Sequence, residues 1–355
     1  MKKLLAFVLV MALSLSLAAC GGTETTTTTA APADDGTTTT TAAPADDGDE
    51  SEAPDNGGDA SDIVVGFSQI GAESDWRVAN TNSIKRSVEE AGFTLIFDDA
   101  QQKQENQIKA LRNFITQGVD VIAFSPVVES GWDEVIEEIN DAEIPIILID
   151  RATDIEGDDY YETFMGSDFV EEGEKAGNWL VEFMEAEGRG DEDIKIVELE
   201  GTVGSAPAND RASGFRNILK DHANYEIVAS QTGNFTRAEG QTVMESFLKS
   251  VDKIDVLYAH NDDMALGAID AIKAAGLKPG EDIIIVGVDA VKKAFEAIVA
   301  GEMNCTVECS PLLGPQLIDN INKLMAGETL DKRTNTIESL YDASNAEQEL
   351  PNRVY

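Results

Sequence analysis

The sequence is poor in the residue types on which most enzyme and metal sites depend. Its 355 residues include two histidines, His222 and His260, and three cysteines, and neither histidine lies near a cysteine in the chain. Motifs for a serine hydrolase, a zinc protease, a phosphate-binding loop and a dinucleotide-binding turn are also missing. We therefore expect no catalysis, no cofactor and no metal site.

Two features keep a catalytic alternative open. His260 ends a predicted strand, where a base could act, and acids stand side by side at 98–99 and 262–263, as glycosidase chemistry would need. A histidine in that position is more often a buried structural residue. Adjacent acids are expected by chance in a chain with 67 acidic residues. Both features therefore support catalysis only weakly.

The sequence also has few positively charged residues. The chain has 26 lysines and arginines against 67 acids, which gives a formal net charge of −41. Such a surface repels nucleic acid and anionic lipid headgroups, so we expect no nucleic-acid partner. Solubility alone explains the charge, and it identifies no binding partner.

The first twenty residues have the pattern of an export signal. Lys2 and Lys3 precede an apolar run at 4–17, which is too short to span a membrane comfortably. Small residues then lead to Cys20, as a lipoprotein signal peptidase requires. We predict a lipoprotein signal peptide over 1–20, with the lipid on Cys20 and the protein anchored outside the cell membrane. An ordinary signal peptide with a chance cysteine is the alternative.

A low-complexity segment follows at 21–61. The twelve-residue unit TTTTTAAPADDG occurs twice, at 25–36 and 37–48, and contains no large apolar residue. It cannot bury a core, so we predict a disordered tether that holds the folded part away from a membrane.

From residue 62 onward, apolar runs alternate with helical segments. Strands are predicted at 63–68, 94–98, 120–125, 145–150, 161–165, 193–199, 225–230, 254–260, 282–289 and 305–309. Helices are predicted near 76–91, 103–117, 130–140, 168–186, 207–220, 236–250, 262–275, 291–300 and 312–325. This alternation is typical of α/β proteins with parallel sheets covered on both faces. The strands are too many for one compact domain, so the pattern predicts two doubly wound, Rossmann-like lobes.

Polar residues follow nearly every predicted strand. They include Ser68, Ser125, Asp150, Arg151, Thr202, Asn261 and Asp289. A single residue of this kind most often caps the next helix. Because ligands of such sheets bind beyond the carboxyl ends of the strands, so many polar ends together indicate a hydrophilic cleft.

The two remaining cysteines, Cys305 and Cys309, lie in one predicted strand. Four strand residues span about 13 Å, which is too far for a disulfide bond. We therefore expect two free, buried thiols.

The chain from about residue 62 to 341 resembles a known family, the periplasmic sugar-binding proteins of the ribose/galactose type, which share a LacI-like, type I fold. Three stretches resemble the galactofuranose-binding receptors of ABC importers in particular: 66–77 (GFSQIGAESDWR), 101–109 (QQKQENQIK) and 258–264 (YAHNDDM). The turn at 200–204 (EGTVG) and the pair Asp210 and Arg211 also match.

The resemblance implies the organisation of the folded part. It implies two lobes joined by a three-strand hinge, with 62–166 and 290–326 in the N-terminal lobe and 167–289 and 327–355 in the C-terminal lobe. The lobes would close on a ligand by a hinge motion.

The resemblance also implies a set of ligand contacts, on both lobes and near the crossovers. The candidates are Ser68, Glu73, Trp76, Arg77, Ser125, Asp150, Arg151, Thr202, Asp210, Arg211, Asn261, Asp289 and Glu308. Carboxylates, amides and guanidinium groups suit hydroxyl groups that both donate and accept, and an indole offers a flat apolar face to a sugar ring.

The expected function is that of a monomeric, extracytoplasmic receptor that binds a monosaccharide and delivers it to the membrane permease of an ABC importer. Galactofuranose or a related aldose is the expected ligand. Two alternatives stay open from the sequence: a sugar-sensing receptor that docks on a membrane signalling protein, and an exported glycoside hydrolase.

Overall fold

The computed structural model of the chain describes residues 63–157 and 159–355. The predicted signal peptide, Cys20 and the predicted tether lie outside these residues. No helix within the described part combines the length and the apolar character needed to cross a bilayer.

A six-stranded parallel sheet forms the first lobe. Its strand order is β11-β5-β4-β3-β1-β2. The chain adds β2 on one side of β1 and β3 on the other, so the order of the strands switches between β1 and β3. The strands are β1 (Val64–Gln69), β2 (Thr94–Asp99), β3 (Val121–Phe124), β4 (Ile146–Ile149), β5 (Thr163–Gly166) and β11 (Arg333–Asn335).

Helices cover both faces of this sheet. They are α1 (Asp75–Glu90), α2 (Gln104–Gln117), α3 (Asp133–Asp141) and α9 (Gly314–Met325). One apolar cluster joins the sheet to α1 and α9, and another joins its opposite face to α2 and α3. The interior strands β3 and β4 read VIAF and IILI and are buried throughout, because neither face meets water.

The second lobe repeats this design with the order β12-β10-β9-β8-β6-β7. Its strands are β6 (Ile194–Glu200), β7 (Tyr225–Thr232), β8 (Val256–Ala259), β9 (Ile284–Asp289), β10 (Cys305–Glu308) and the antiparallel β12 (Leu340–Asp342). Its helices are α4 (Phe169–Ala186), α5 (Ala206–Leu219), α6 (Arg237–Ser250), α7 (Asp262–Ala274), α8 (Lys292–Val299) and α10 (Ala346–Glu349).

Three chain crossings connect the lobes: β5 to α4, β10 to α9, and β11 to β12. Two segments lie elsewhere than our lobe boundaries predicted. The segment 290–309 belongs to the second lobe, because β10 pairs with β9 and α8 packs in the second core. β11 belongs to the first lobe because it pairs with β5. The crossovers therefore lie near 167, 309–313 and 336–339.

Candidate functional site

One narrow cavity of about 20 Å³ lies where the carboxyl ends of the two sheets meet. Residues from both lobes and from the second crossover line it: Glu73, Ser74, Trp76, Arg77, Asp150, Arg151, Pro207, Arg211, Phe235, Asn261, Asp289 and Cys309. Three of these side chains are acids and three are arginines, so the cavity is strongly polar although these charged side chains are almost completely buried.

The first turn of α1 supplies several of these groups. Ser74 caps the helix by accepting a hydrogen bond from the Arg77 amide, which orients Trp76 and Arg77 at the helix start. The Arg77 guanidinium donates to Glu73 at 2.9 Å and to Asp150 at 2.7 Å. Burial opposes the charge, but Asp150 and Glu73 outweigh it and raise the pKa of Arg77.

Asp150 and Arg151 follow the end of β4, and the backbone at Asp150 is strained. Asp150 has φ 65°, and a 2.7 Å bond from the Arg151 amide to the Ile149 carbonyl closes a γ-turn around it. A Cβ at Gly166 would lie 3.0 Å from the Asp150 Cα, so the neighbouring strand must carry glycine there. Strain of this kind is found at functional sites that the surrounding structure holds in place.

The Arg151 guanidinium lies 3.9 Å from the Asp150 carboxylate, measured from Nε, and makes one hydrogen bond to the described residues. Its Nη1 donates to the Val127 carbonyl at 2.9 Å, whereas its Nε forms no hydrogen bond with the described residues. Burial, and then the charge of Arg77, lower the pKa of Arg151 to about 10, so it stays protonated at neutral pH. Its guanidinium carbon lies 5.3 Å from the ring centre of Phe235, which belongs to the other lobe.

Arg211 of α5 is the guanidinium group that the second lobe contributes to the cavity. Its guanidinium donates to Glu172 at 2.7 Å and to the His260 carbonyl at 2.6 Å, and it lies 3.7 Å from Asp289. Asp289 ends β9 with φ 124°. Burial, opposed by Arg211 but reinforced by the neighbouring Asp262, raises the pKa of Asp289.

The apolar part of the cavity comes from Phe235 and Trp76. Asn261 caps α7 and donates to the Phe235 carbonyl at 3.1 Å, which fixes the loop that carries the ring. Gly201, at the end of β6, leaves room for this ring, since a Cβ there would lie 1.9 Å from it. The Trp76 indole donates to the Cys309 carbonyl at 2.7 Å, so a first-lobe side chain is bonded to a crossover.

The cavity brings together most of the ligand contacts predicted from the sequence. Those that line it are Glu73, Trp76, Arg77, Asp150, Arg151, Arg211, Asn261 and Asp289. Ser125 supports them from behind, with its hydroxyl 3.3 Å from Asp150, and Ser68 is fully buried beside it at the end of β1. Whether any of them contacts a sugar stays a prediction.

Three predicted contacts lie away from the cavity lining. Thr202 lies in the turn after β6, where its carbonyl accepts from Ser205. Asp210 is half-buried on α5, near the carboxylates of Glu129 and Asp168.

Glu308 is the third predicted contact outside the cavity lining, and its side chain contacts the C-terminal segment instead. It binds Arg353 at 2.7 Å and accepts from the Tyr341 hydroxyl at 3.1 Å. The physical reason is strand alternation: Glu308 and Cys309 point to opposite sides, and Cys309 faces the cavity.

Four lining residues were missed in the sequence: Ser74, Pro207, Phe235 and Cys309. Helix-start signals could have found Ser74 and Pro207, which lie beside predicted contacts. Cys305 and Cys309 are both free and buried, as predicted. His260 is fully buried with its Nε2 3.1 Å from Glu198, which matches the structural role we favoured over catalysis.

The family is evident from known proteins that resemble the chain. A family model described as periplasmic binding protein domain matches residues 65–329. The galactofuranose-binding protein YtfQ of Escherichia coli (strain K12) is 45% identical over 295 residues, which cover 82% of this chain and 91% of that protein.

Solved structures agree with this match. A Mycobacterium smegmatis protein in complex with β-D-fucofuranose is 52% identical with a TM-score of 0.79, covering 82% of this chain and 94% of that one. The binding component of the arabinose ABC transporter from Shewanella sp. ANA-3, bound to α- and β-L-arabinofuranose, is 45% identical with a TM-score of 0.78, covering 82% and 96%. The chain therefore belongs to the periplasmic binding protein family, whose members act outside the cytoplasm.

Proposed function

We propose that this protein is the sugar receptor of an ABC importer and binds galactofuranose or a related aldose in its furanose form. One observation carries the proposal: the buried cavity between the lobes combines three guanidinium groups, three carboxyl groups and two aromatic rings. The furanose-binding relatives, each similar to this chain over most of its length, support the ring form.

The polar groups suit a ligand made of hydroxyls. Glu73 Oε2 and Arg151 Nε are both buried and form no hydrogen bond with described residues, which offers one acceptor and one donor. Leaving such groups unpaired costs about 1–3 kcal/mol each, so a ligand that pairs them gains affinity. A sugar hydroxyl can do both, and the rings of Trp76 and Phe235 can cover the C–H face of the sugar.

The lobes are in contact across the cleft, as a closed receptor requires. On one side the Asp75 amide donates to Asp263 at 2.6 Å, and Lys293 pairs with Asp75 at 2.6 Å. On the other side the Glu129 amide donates to the Gly204 carbonyl at 2.9 Å. Hinge motion at the crossovers would break these contacts and open the cavity.

The receptor role extends to the part of the chain outside the described residues. We infer that Cys20 carries a lipid and that 21–61 is a spacer, so that the protein works beside a membrane permease without chemistry of its own. The export signal and the repeated tether unit support this inference.

Mass spectrometry of sugar released from the purified full-length chain tests the proposal. We expect one aldose per protein, carried through purification because the contacts between the lobes slow its release. A released compound without sugar hydroxyls, or conversion of a furanoside into products by the protein, would overturn it.

A further inference from the structure

A second polar cluster lies where the three crossovers meet. Ser167 comes from the first crossover, Cys309 from the second, and Thr336 and Glu338 from the third. Glu172 of α4 completes the cluster. The ligand-type atoms of Glu172, Cys309 and Glu338 all lie within 4.8 Å of one another, and this is the only such group of three among the described residues.

Glu172 carries the observation that points to a missing partner. The residue is fully buried and its Oε2 binds Arg211 at 2.7 Å, whereas its Oε1 meets no donor among the described residues and the side chain faces the carboxyl group of Glu338. Two carboxylates cannot satisfy each other unless a cation or a proton lies between them.

Hydrogen bonds hold the other two members of the cluster, Glu338 and Cys309, in position. Glu338 Oε1 accepts from Ser167 at 2.5 Å, from Thr336 at 2.8 Å and from the Ser310 amide at 2.9 Å. The Cys309 sulfur lies 3.2 Å from the Ser167 hydroxyl. Hydrogen bonds of this kind commonly hold metal ligands in position.

We propose that Glu172, Cys309 and Glu338 form a binding site for a divalent cation of the Zn²⁺ class. One thiolate and two carboxylates are a donor set that Zn²⁺ accepts, at about 2.0–2.3 Å from each ligand atom. Tetrahedral ligands at that distance lie about 3.5 Å apart. Small side-chain rotations would therefore bring the three ligand atoms from within 4.8 Å of one another to this spacing. The bond to sulfur forms as the thiol proton leaves to solvent.

The charges around the cluster permit a cation. The three ligands together carry three negative charges when all of them are ionised. The facing cations are Arg211, on the far oxygen of Glu172, Arg333, which donates to the Ser167 carbonyl at 2.6 Å, and Lys175, which donates to the Glu338 carbonyl at 3.0 Å. A shared proton between the two carboxyl groups is the competing explanation. A shared proton would join the two carboxyl groups alone, whereas a thiophilic cation would bind all three groups.

Cobalt titration of the full-length chain, after metal is removed with a chelator, tests the site. Thiolate bound to Co²⁺ gives an intense near-ultraviolet charge-transfer band, and we expect this band to saturate at one equivalent and to disappear when Zn²⁺ is added. No band up to millimolar Co²⁺ would overturn the proposal and leave the shared proton as the explanation.

Matched variants make the result specific. Cys305→Ser removes the other free, buried thiol, on the strand that Cys309 follows, and should keep the band. Cys309→Ser should abolish it. Glu338→Gln retains the oxygen that accepts the three hydrogen bonds and should weaken Co²⁺ binding at least tenfold. A band that survives in Cys309→Ser, or unchanged affinity in Glu338→Gln, would contradict the site.

Discussion

At the scale of single residues, the cavity is built from side chains whose position after a strand was readable in the sequence. Asp150, Arg151 and Asp289 could be predicted because carboxyl ends of parallel strands converge. Phe235 could not, because its place depends on a left-handed backbone at φ 62° and on the space left by Gly201. Neither feature has a pattern in the sequence.

Arg151 gives the first prediction at this scale. We expect Arg151→Ala to weaken sugar binding at least tenfold, about 1.4 kcal/mol, because its donors are buried and one of them is unpaired in the protein itself. Titration calorimetry measures the change. Arg112→Ala, which removes an exposed ion pair with Glu138, is the matched control and should bind normally. Equal affinity of both variants would make Arg151 structural.

Asp210 gives a pH prediction. Burial, and then the charges of Glu129 and Asp168, raise the pKa of Asp210 to about 6. A raised carboxyl pKa means that the folded state binds a proton more tightly than the unfolded state, so stability is lost as the pH rises from about 4 through 6.

Asp210→Asn should remove this loss. We expect the variant to be more stable than the parent at pH 7, with the difference vanishing near pH 4. Urea unfolding at both pH values measures it. Equal stability at pH 7 would show that neither burial nor the neighbouring carboxylates raise the pKa of Asp210.

At the scale of elements, ten strands and nine helices lie where the periodicity predicted them. β11 and β12 were missed because each has three residues (RTN and LYD) and no apolar run. These two strands form because β5 and β10, which the rest of the chain builds, offer them free sheet edges to pair with. The place of 290–309 was wrong for the same reason: local sequence identifies a strand and a helix but not the sheet that they join.

Gly201 gives the prediction at this scale, because β6 must end without a side chain where the Phe235 ring packs. We expect Gly201→Ala to displace the ring into the cavity and weaken sugar binding at least tenfold, with the fold retained. Gly190→Ala is the control, since the one tight contact of its Cβ, at 3.0 Å, would be with the flexible Glu185 side chain. Calorimetry and circular dichroism together measure both effects. Normal sugar affinity would mean that the ring does not shape the site.

At the scale of the whole molecule, the two lobes, the three crossovers and the family were predictable from the resemblance, and the closed arrangement was not. Closure depends on contacts between residues far apart in the chain, such as Asp75 with Asp263. These contacts have no local sequence signal. They explain how a cleft with six ionisable groups is kept away from water.

We expect Asp263→Ala to speed sugar release about five- to tenfold, because it removes a charge-assisted hydrogen bond, typically worth about 1.5–3 kcal/mol, that only the closed form makes. Stopped-flow fluorescence measures the release rate. Lys323→Ala, which removes an exposed ion pair within α9, should leave it unchanged. An unaltered release rate in Asp263→Ala would show that this contact does not stabilise the closed form.

Titration calorimetry with two methyl galactosides tests the central claim most directly. Methyl β-D-galactofuranoside and methyl β-D-galactopyranoside have the same atoms and differ only in ring size, so the pair isolates the ring form. The account predicts binding of the furanoside with a Kd of about 1 µM or lower and at least hundredfold weaker binding of the pyranoside. Equal affinity would contradict the furanose assignment, and no binding of either sugar or of free galactose below about 1 mM would contradict the sugar-receptor function.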